Sequence, residues 1–532
     1  MKLAQALQIF SLGAYVASAF PTSADNSSLE VFESSCADIV PKLNIANATV
    51  YFSQFVAAGT NLTLDNNVTC TQPSQVAPVD MCRIALYVAT SSQSGINMEA
   101  WLPANWTGRF LSTGNGGLNG CIGYGYMAYA ISYGFASVGA NNGHNGTSGG
   151  AFLNNAEVVK DFAWRSVHTG VLAGKEIAKT FYGKAHTKSY YLGCSTGGRQ
   201  GFKSAQDFPE DFDGIVAGAP AIAFNNLTSW SGHFLPITGN TTAPTFVPTN
   251  MWPVIHQDIL NQCDGLDGYV DGIIEDPLKC NYTSKNLICS GANTTNCLTS
   301  LQSETVQKIF SPLYADDGSL IYPRMQPGSE IVASFVQYSG TPFPYTVDWF
   351  RYAIYNDPSW DPYTISNKDY VYANQVNPAD IQTWKGDLSG IQERGAKILH
   401  FHGQMDGIIS SDNSPRYYNH VSQTMGLGTK QLDEFYRFFR MSGTAHCTGG
   451  DGASVFGLTY GSVESDNPKE NVLMAVVEWV EKGNAPETIT GTRWVNNTQS
   501  LGVDYKRAHC RWPKSNHFTG GDPKEVGSWQ CI

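Results

Sequence analysis

Charged residues are scarce in this sequence: Asp, Glu, Lys and Arg make up 15% of its 532 residues, against about 25% in an average soluble protein. The 33 basic residues are outnumbered by 45 acidic ones, which gives a formal net charge of −12. No basic run offers phosphates a counter-charge, so the sequence argues against a nucleic-acid partner. Fixed-period repeats and low-complexity linkers are also lacking. Hydrophobic residues at 42% supply core material for a large globular protein and argue against disorder.

Long apolar runs are missing beyond the N-terminus, so no membrane partner is expected. The first residues have the pattern of a signal peptide, with Lys2, an apolar stretch over 3–16, and the small-x-small sequence Ala17-Ser18-Ala19. A membrane anchor is the alternative, but the run is shorter than the ~20 residues that span a bilayer. We therefore expect residues 1–19 to be removed and the protein to be secreted and extracellular.

The chain contains twelve cysteines, and an even number in a secreted protein predicts disulfides whose pairing the sequence alone does not fix. Eleven Asn-x-Ser/Thr sites predict surface positions open to glycosylation, at Asn26, Asn47, Asn61, Asn67, Asn105, Asn145, Asn226, Asn240, Asn281, Asn293 and Asn496.

Short β-rich runs alternate with helical patterns, which predicts an α/β fold with buried parallel strands. The strand candidates start at Arg109, Tyr190, Gly214 and Lys397, and the helical patterns cover 156–181, 200–207 and 471–482. Residues 222–396 differ, because they are rich in Cys, Pro and aromatic residues and show little alternation. We interpret 20–221 and 397–532 as a catalytic domain interrupted by an inserted subdomain over 222–396.

The candidate nucleophile is Ser195, in a Gly-x-Ser-x-Gly pattern that follows an apolar run and precedes a helical segment. Small residues on both sides let a strand-to-helix turn expose the serine hydroxyl. A second match around Ser148 follows turn residues instead of a strand, and we interpret it as a loop.

In hydrolases of this type the acid and the histidine follow the serine along the chain. Asp406 ends a predicted strand in a Gly-bounded turn, and Asp412 is its nearby competitor. His446 lies in a Gly-rich loop beyond the next strand, a setting that suits an imidazole base. The other downstream histidines lack that setting: His420, His509 and His517.

Two further features bear on the same site. Backbone N–H groups of Gly116 and Gly117, together with that of Thr196, are candidate oxyanion donors, although the glycines also suit an ordinary turn. Cys194 precedes the candidate nucleophile and Cys447 follows the candidate base, so a bond between them would join the two loops. Each cysteine pairing elsewhere is the alternative.

These residues resemble the fungal tannase and feruloyl esterase family, in its feruloyl esterase B branch, over nearly the whole chain after the signal peptide. Gly-Cys-Ser-Thr-Gly-Gly at 193–198, Asp406 and His446-Cys447 carry the resemblance. It implies an α/β-hydrolase fold with a large inserted lid, and a triad of Ser195, Asp406 and His446. It also implies six disulfides: Cys194–Cys447, Cys36–Cys82, Cys70–Cys121, Cys263–Cys280, Cys289–Cys297 and Cys510–Cys531.

The inserted segment contains closely spaced carboxylates in Asp264, Asp267 and Asp271, separated by glycines that favour a coiled loop over a helix. Clustered oxygens suit Ca²⁺, which takes about 6–8 such ligands. A solvated acidic turn is the alternative. The resemblance implies a structural calcium site formed by the three side chains and the backbone oxygens of Tyr269 and Ile273. No cofactor is expected for the chemistry itself.

The resemblance implies a secreted serine carboxylesterase that releases ferulic or p-coumaric acid from hydroxycinnamoyl esters of plant cell-wall arabinoxylan or pectin through an acyl-enzyme on Ser195. Tannase, which cleaves galloyl esters with the same residues, is the alternative. Tannases of the family are often cut at a Lys-Arg site in the lid, whereas the Lys-Arg pair here is Lys506-Arg507, outside it. A non-catalytic glycoprotein on a hydrolase scaffold is a further alternative, although such proteins usually lack a triad member.

Overall fold

The computed structural model describes residues 26–64, 66–291, 295–458 and 465–532. The predicted signal peptide and Asn293 lie outside the described residues.

The strands of the described residues are β1 (Ala48–Val56), β2 (Asn61–Thr63), β3 (Ser74–Val76), β4 (Met81–Ala89), β5 (Gly95–Pro103), β6 (Arg109–Thr113), β7 (Phe135–Ala140), β8 (Lys188–Cys194), β9 (Gly214–Gly218), β10 (Leu313–Tyr314), β11 (Leu320–Tyr322), β12 (Lys397–Gly403), β13 (Tyr436–Met441), β14 (Thr488–Trp494), β15 (Val503–Cys510), β16 (Asn516–Phe518) and β17 (Trp529–Cys531).

The α-helices are α1 (Asn26–Ala37), α2 (Tyr124–Ser132), α3 (Ala156–Lys160), α4 (Ser166–Tyr182), α5 (Thr196–Asp207), α6 (Phe224–Thr238), α7 (Trp252–Cys263), α8 (Ser300–Ile309), α9 (Glu330–Val336), α10 (Pro344–Asp348), α11 (Asn367–Val376), α12 (Ser389–Glu393), α13 (Asn413–Met425), α14 (Thr429–Leu432) and α15 (Val472–Lys482). The pattern over 156–181 predicts one helix, but a π-helical turn at Asp161–Arg165 joins α3 to α4.

A nine-stranded sheet in the order β1-β4-β5-β7-β6-β8-β9-β12-β13 forms the centre of the molecule. From β7 to β13 neighbouring strands are parallel, whereas β1, β4, β5 and β7 pair antiparallel. The carboxyl ends of parallel strands meet at one edge, where ligands bind in open α/β sheets. Three strands that end at this edge, β8, β12 and β13, precede the serine, acid and histidine candidates.

Helices cover both faces of the sheet. On one face, Val171 and Ile177 of α4 pack against Phe110 and Val138, and Phe202 of α5 joins the same core. On the other face, Val472 and Val476 of α15 pack against Leu192 and Phe401. Both faces of the parallel strands are buried, which explains why these strands read as continuous apolar runs. This architecture confirms the α/β-hydrolase fold.

Within 222–396, the described residues form helices and the two-stranded β10–β11 sheet, and add no strand to the central sheet. Their core surrounds the fully buried Trp230 and Trp349. Leu118 and Phe152, from outside the inserted segment, belong to the same core. The insertion therefore packs directly on the loops beside Ser195. In the described ranges, no helix combines the length and apolar character required to cross a bilayer.

Candidate active site

Ser195 occupies the sharp turn between β8, which ends at Cys194, and α5. Its backbone has φ 65° and ψ −124°, a conformation that costs a non-glycine residue about 1–3 kcal/mol. A Cβ at Gly193 would come within 2.7 Å of the Gly197 backbone, and one at Gly198 within 2.2 Å of the Gly218 oxygen. These contacts require glycine at both positions, and the turn leaves Ser195 half-buried at the edge of the sheet.

Asp406 lies just beyond β12, fully buried, and all its carboxylate contacts are donors. Its Oδ1 accepts hydrogen bonds from the N–H groups of Ile408 at 2.8 Å and Ile409 at 3.0 Å. Its Oδ2 lies 2.7 Å from Nδ1 of His446 and 3.1 Å from Nε2 of His402. Burial by itself would raise the pKa of Asp406, but the charges and hydrogen bonds of the two histidines outweigh burial and hold this pKa well below its usual range. The group is therefore a carboxylate.

His446 follows β13 in a loop and keeps 17% of its side chain exposed. Because the anionic Asp406 only accepts hydrogen bonds, His446 carries its proton on Nδ1 and leaves Nε2 free to accept one. The Cys194–Cys447 disulfide, with Cα atoms 6.0 Å apart, joins the residue before Ser195 to the residue after His446. The structure thus brings the loops of the three predicted residues together at one edge of the sheet.

The competing candidates lie in other settings. Ser148 caps a short 3₁₀ helix and donates to Asp348 at 3.1 Å. Asp412 pairs with Arg324 at 3.3 Å. Among the histidines, His420 contacts the Trp384 carbonyl, His509 is buried against the Ala453 carbonyl, and His517 lies in β16.

The glycine-rich loop after β6 contacts the nucleophile turn directly. The Thr196 hydroxyl donates to the Gly117 carbonyl at 2.6 Å. Gly117 has φ +51°, and a Cβ there would lie 2.5 Å from the hydroxyl of Tyr345. Tyr345, on α10 of the inserted segment, is 38% exposed and was not singled out by sequence reasoning. It forms one wall beside the candidate oxyanion loop.

Gln200, on α5, fixes this loop from behind and was also missed. Its Oε1 accepts the Asn115 N–H at 3.0 Å, while its Nε2 donates to Asn115 Oδ1 at 3.1 Å and to Asn142 Oδ1 at 2.9 Å. Asn115 in turn donates to the Cys121 and Ala140 carbonyls, both at 2.8 Å. A glutamine five positions after the nucleophile gives no signal in the sequence, because a polar residue on a helix is ordinarily exposed.

The acidic loop of the inserted segment is folded around its own carboxylates. Asp264 accepts from the Gly272 N–H at 2.8 Å, and Asp267 accepts from the Tyr269 N–H at 2.9 Å. Asp271 accepts from the Ile273 N–H at 3.1 Å. In the part of the chain that the structure describes, no group of three or more His, Cys, Asp or Glu side chains is arranged to hold a metal ion.

The loop nevertheless fits a hard cation in the chemistry of its donors. Oδ2 of Asp267 is buried without a hydrogen-bond partner, and the Arg507 guanidinium already pairs with Asp271 at 3.0 Å and with Glu275. Burial raises the pKa of Asp267 to about 7, with neighbouring carboxylates adding to the effect and the Tyr269 N–H opposing it. The cluster therefore holds more negative charge than its protein partners neutralise.

All six disulfides implied by the family resemblance are present: Cys36–Cys82, Cys70–Cys121, Cys194–Cys447, Cys263–Cys280, Cys289–Cys297 and Cys510–Cys531. The glycosylation sites with exposed side chains are Asn47, Asn61, Asn67, Asn105, Asn145, Asn240, Asn281 and Asn496.

Asn226 departs from the expectation of an open surface position. It is half-buried on α6, its amide nitrogen donates to the Ile321 carbonyl at 2.8 Å, and its oxygen accepts from Gln382 at 2.7 Å. A glycan on that nitrogen would break this contact. The sequence pattern was therefore misleading here, because it reports a local motif and not the burial of its asparagine.

A sharp serine turn, a histidine and a buried carboxylate that follow successive strands of such a sheet define the class of α/β-hydrolase serine enzymes. Residues 82–532 match the family model described as tannase and feruloyl esterase. The chain is 53% identical over 513 residues to a probable feruloyl esterase B-2 of Aspergillus oryzae, which covers 96% of this chain and 97% of that protein. The chain belongs to the tannase and feruloyl esterase family, and it is a carboxylic-ester hydrolase.

Solved structures agree with this assignment. The crystal structure of feruloyl esterase B from Aspergillus oryzae has a TM-score of 0.92 at 50% identity, covering 94% of this chain and 100% of that one. The tannin acyl hydrolase from Aspergillus niger has a TM-score of 0.75 at 21% identity, covering 94% of each chain. The second likeness concerns the fold alone.

Proposed function

We propose that this protein is a feruloyl esterase that releases ferulic and p-coumaric acid from hydroxycinnamoyl esters of plant cell-wall polysaccharides such as arabinoxylan and pectin. The observation that carries the proposal is the 2.7 Å contact between Asp406 and His446, on a loop that the Cys194–Cys447 bond ties to the Ser195 turn. The feruloyl esterase names of relatives that match nearly the whole chain support the substrate class.

In the proposed reaction, His446 Nε2 takes the Ser195 hydroxyl proton as Oγ attacks the ester carbonyl. The tetrahedral intermediate collapses, the sugar alcohol leaves with that proton, and the hydroxycinnamoyl group remains esterified to Ser195. Water, deprotonated by the same nitrogen, then releases the acid. Asp406 stays ionised throughout and stabilises the imidazolium formed in each half-reaction.

The N–H groups of Gly116, Gly117 and Thr196 are the proposed oxyanion donors. The Thr196 hydroxyl bond to the Gly117 carbonyl and the clasp of Gln200 on Asn115 support this role, because both hold the two backbone segments in fixed relation. Each such donor contributes roughly 2.7–4 kcal/mol to transition-state stabilisation.

The test compares kcat/KM on methyl ferulate with that on methyl gallate, for the wild type and for Ser195→Ala and Ser148→Ala. The two serines occupy the same Gly-x-Ser-x-Gly pattern, which makes the second variant a matched control. We expect a preference for ferulate, loss of turnover in Ser195→Ala and unchanged turnover in Ser148→Ala. A strong preference for gallate would make the protein a tannase, and unchanged hydrolysis in Ser195→Ala would place the chemistry elsewhere.

We also propose that the loop of Asp264, Asp267 and Asp271, with the backbone oxygens of Tyr269 and Ile273, binds a structural Ca²⁺ ion. The unpartnered Asp267 oxygen and the excess of carboxylates support this site, since a divalent cation would satisfy both. Elemental analysis after mild dialysis tests it, and a folded protein without calcium would refute it.

Secretion completes the proposal. The six disulfides require an oxidising compartment to form and persist, and the exposed glycosylation sites suit the same route. Mass spectrometry of protein from the culture medium tests it. We expect an N-terminus near residue 20 and glycans on exposed sites but not on Asn226, whereas protein retained in cells with residues 1–19 attached would contradict it.

A further inference from the structure

Two histidines lie in β12, a strand whose other central positions are apolar. Because side chains alternate along a strand, His400 and His402 share one face while Phe401 packs on the other. Both histidines are completely buried. Burial lowers the pKa of His400 well below its ordinary value, and the neighbouring His402 adds to the effect. Two buried imidazoles side by side require specific hydrogen-bond partners.

Those partners form one continuous chain that ends at Asp406. Tyr436 OH lies 2.9 Å from His400 Nδ1, and His400 Nε2 lies 2.9 Å from Ser414 Oγ. Ser414 Oγ lies 2.6 Å from His402 Nδ1. His402 Nε2 completes the chain at 3.1 Å from Asp406 Oδ2.

The chemistry of the two ends determines the direction of every bond in this chain. Asp406 is ionised and only accepts, so His402 donates from Nε2 and, when neutral, accepts at Nδ1. The single Ser414 proton therefore goes to His402, and Ser414 accepts from His400 Nε2–H. His400 Nδ1 then accepts the Tyr436 hydroxyl proton. The opposite direction would leave that buried proton without an acceptor among the described residues, whereas this one uses each proton once.

We propose that His402 is a positioning residue of the catalytic reaction, and that Tyr436, His400, Ser414 and His402 form a relay of fixed direction that orients the Asp406 carboxylate. His402 and His446 share the same oxygen, Oδ2. The relay therefore restrains the carboxylate and also reduces the negative charge that it presents to His446. This inference rests on the proposed role of His446 as the base.

The titratable groups that face Asp406 are few. His402 approaches from β12 and His446 from the loop after β13. The buried hydroxyl of Tyr322, on β11 of the inserted segment, is the third, and Asp406 contributes to raising its pKa. The Gln326 side chain donates to the Asp406 carbonyl and is neutral. Removing His402 thus leaves His446 as the one histidine on the carboxylate.

The test uses two substitutions at one position. His402→Leu removes the donor to Asp406, whereas His402→Gln places an amide N–H near the position of Nε2. We expect His402→Leu to lower kcat about tenfold with little change in KM, since the distortion acts on the triad and not on the ester site. The acid limb of the kcat/KM profile should move up by about half a pH unit or more, because an unshared carboxylate stabilises the His446 imidazolium further. His402→Gln should restore most of both.

An activated aryl acetate serves as substrate, because its hydrolysis requires the triad but no hydroxycinnamoyl preference. A wild type that hydrolyses this ester but not methyl ferulate would count against the proposed substrate and leave the relay test intact. Thermal unfolding monitored by circular dichroism shows whether each variant is folded. If His402→Leu does not fold, His402→Gln and Tyr436→Phe still carry the test, with a smaller upward shift expected for Tyr436→Phe.

Tyr418→Phe is the matched control, because Tyr418 is equally buried and packs 5.1 Å from the Tyr436 ring, but its hydroxyl faces Asp433. We expect no shift of the acid limb in this variant. An unmoved limb in both His402→Leu and Tyr436→Phe, or an equal shift in Tyr418→Phe, would overturn the relay.

Discussion

The Cys194–Cys447 disulfide allows a quantitative prediction, because it closes the longest loop of the six. Its cysteines are 253 positions apart, against 21 for Cys510–Cys531. In the chain-entropy model, the loss of a cross-link destabilises by about 5.5 kcal/mol for the first loop and about 3.3 kcal/mol for the second. We therefore compare Cys194→Ala/Cys447→Ala with Cys510→Ala/Cys531→Ala. Each pair has one buried and one half-buried cysteine, so the direct packing losses are similar.

The measurement is the free energy of unfolding from urea titrations followed by tryptophan fluorescence, with the m-value checked for both variants. We expect the first variant to be less stable than the second by about 2 kcal/mol, the part of the effect that depends on loop length alone. Equal losses, or a larger loss for the Cys510–Cys531 variant, would refute the entropic argument and assign the stabilisation to local contacts.

Catalysis provides a second, independent readout on the same proteins. The Cys194–Cys447 bond fixes the distance between the loops of Ser195 and His446, whereas Cys510–Cys531 lies in the C-terminal strands. We expect kcat to fall in the first variant with KM nearly unchanged, and to stay at the wild-type value in the second. A wild-type kcat in the first variant would mean that hydrogen bonding alone, through Asp406, holds the two loops together.

Four other predictions follow from the site and its surroundings. Asp406→Asn should lower kcat roughly 10⁴-fold in steady-state assays, because an amide favours the wrong tautomer of the histidine, and a loss below tenfold would contradict the assignment. Gln200→Met should lower kcat by roughly 10- to 100-fold with KM unchanged, less than deletion of one oxyanion donor; an altered KM alone would assign Gln200 to substrate binding. Chelation should lower the melting temperature of the wild type more than that of Asp267→Asn, and equal shifts would argue against calcium in this loop. Burial lowers the pKa of His509 to about 4, so the folded state resists its protonation and stability should fall as the pH drops from about 6.5 to 4, by up to about 3 kcal/mol. Urea titrations of His509→Gln should show a flatter dependence over this range, and an unchanged slope would refute the assignment.

Local sequence patterns were enough to predict the elements that position the nucleophile. The apolar run before Gly193 and the small residues around Ser195 leave few backbone conformations other than a strand, a sharp turn and a helix. The predicted strands at 109–113 and 214–217 were also confirmed, since buried parallel strands are apolar on both faces. The base and acid could be proposed because chain order and strand ends restrict where a triad can form.

Contacts that join distant parts of the chain could not be derived in this way. The residues alone left the partners of Cys194 and Cys447 open, and the family resemblance supplied them. Gln200 and His402 gave no signal, because their function depends on Asn115 and Asp406, which the fold brings to them. Asn226 misled for the same reason: its sequon is local, but its burial is decided by the packing of the inserted segment.

The distinction has a physical origin. The steric limits on a turn such as the one at Ser195 act between adjacent residues, so the order of the amino acids is sufficient to specify them. The protonation of Asp406, the direction of the chain from Tyr436 to His402 and the choice of cysteine partners depend on burial and on distances of a few ångströms between remote residues. Those quantities exist only once the nine-stranded sheet and the inserted segment have packed together.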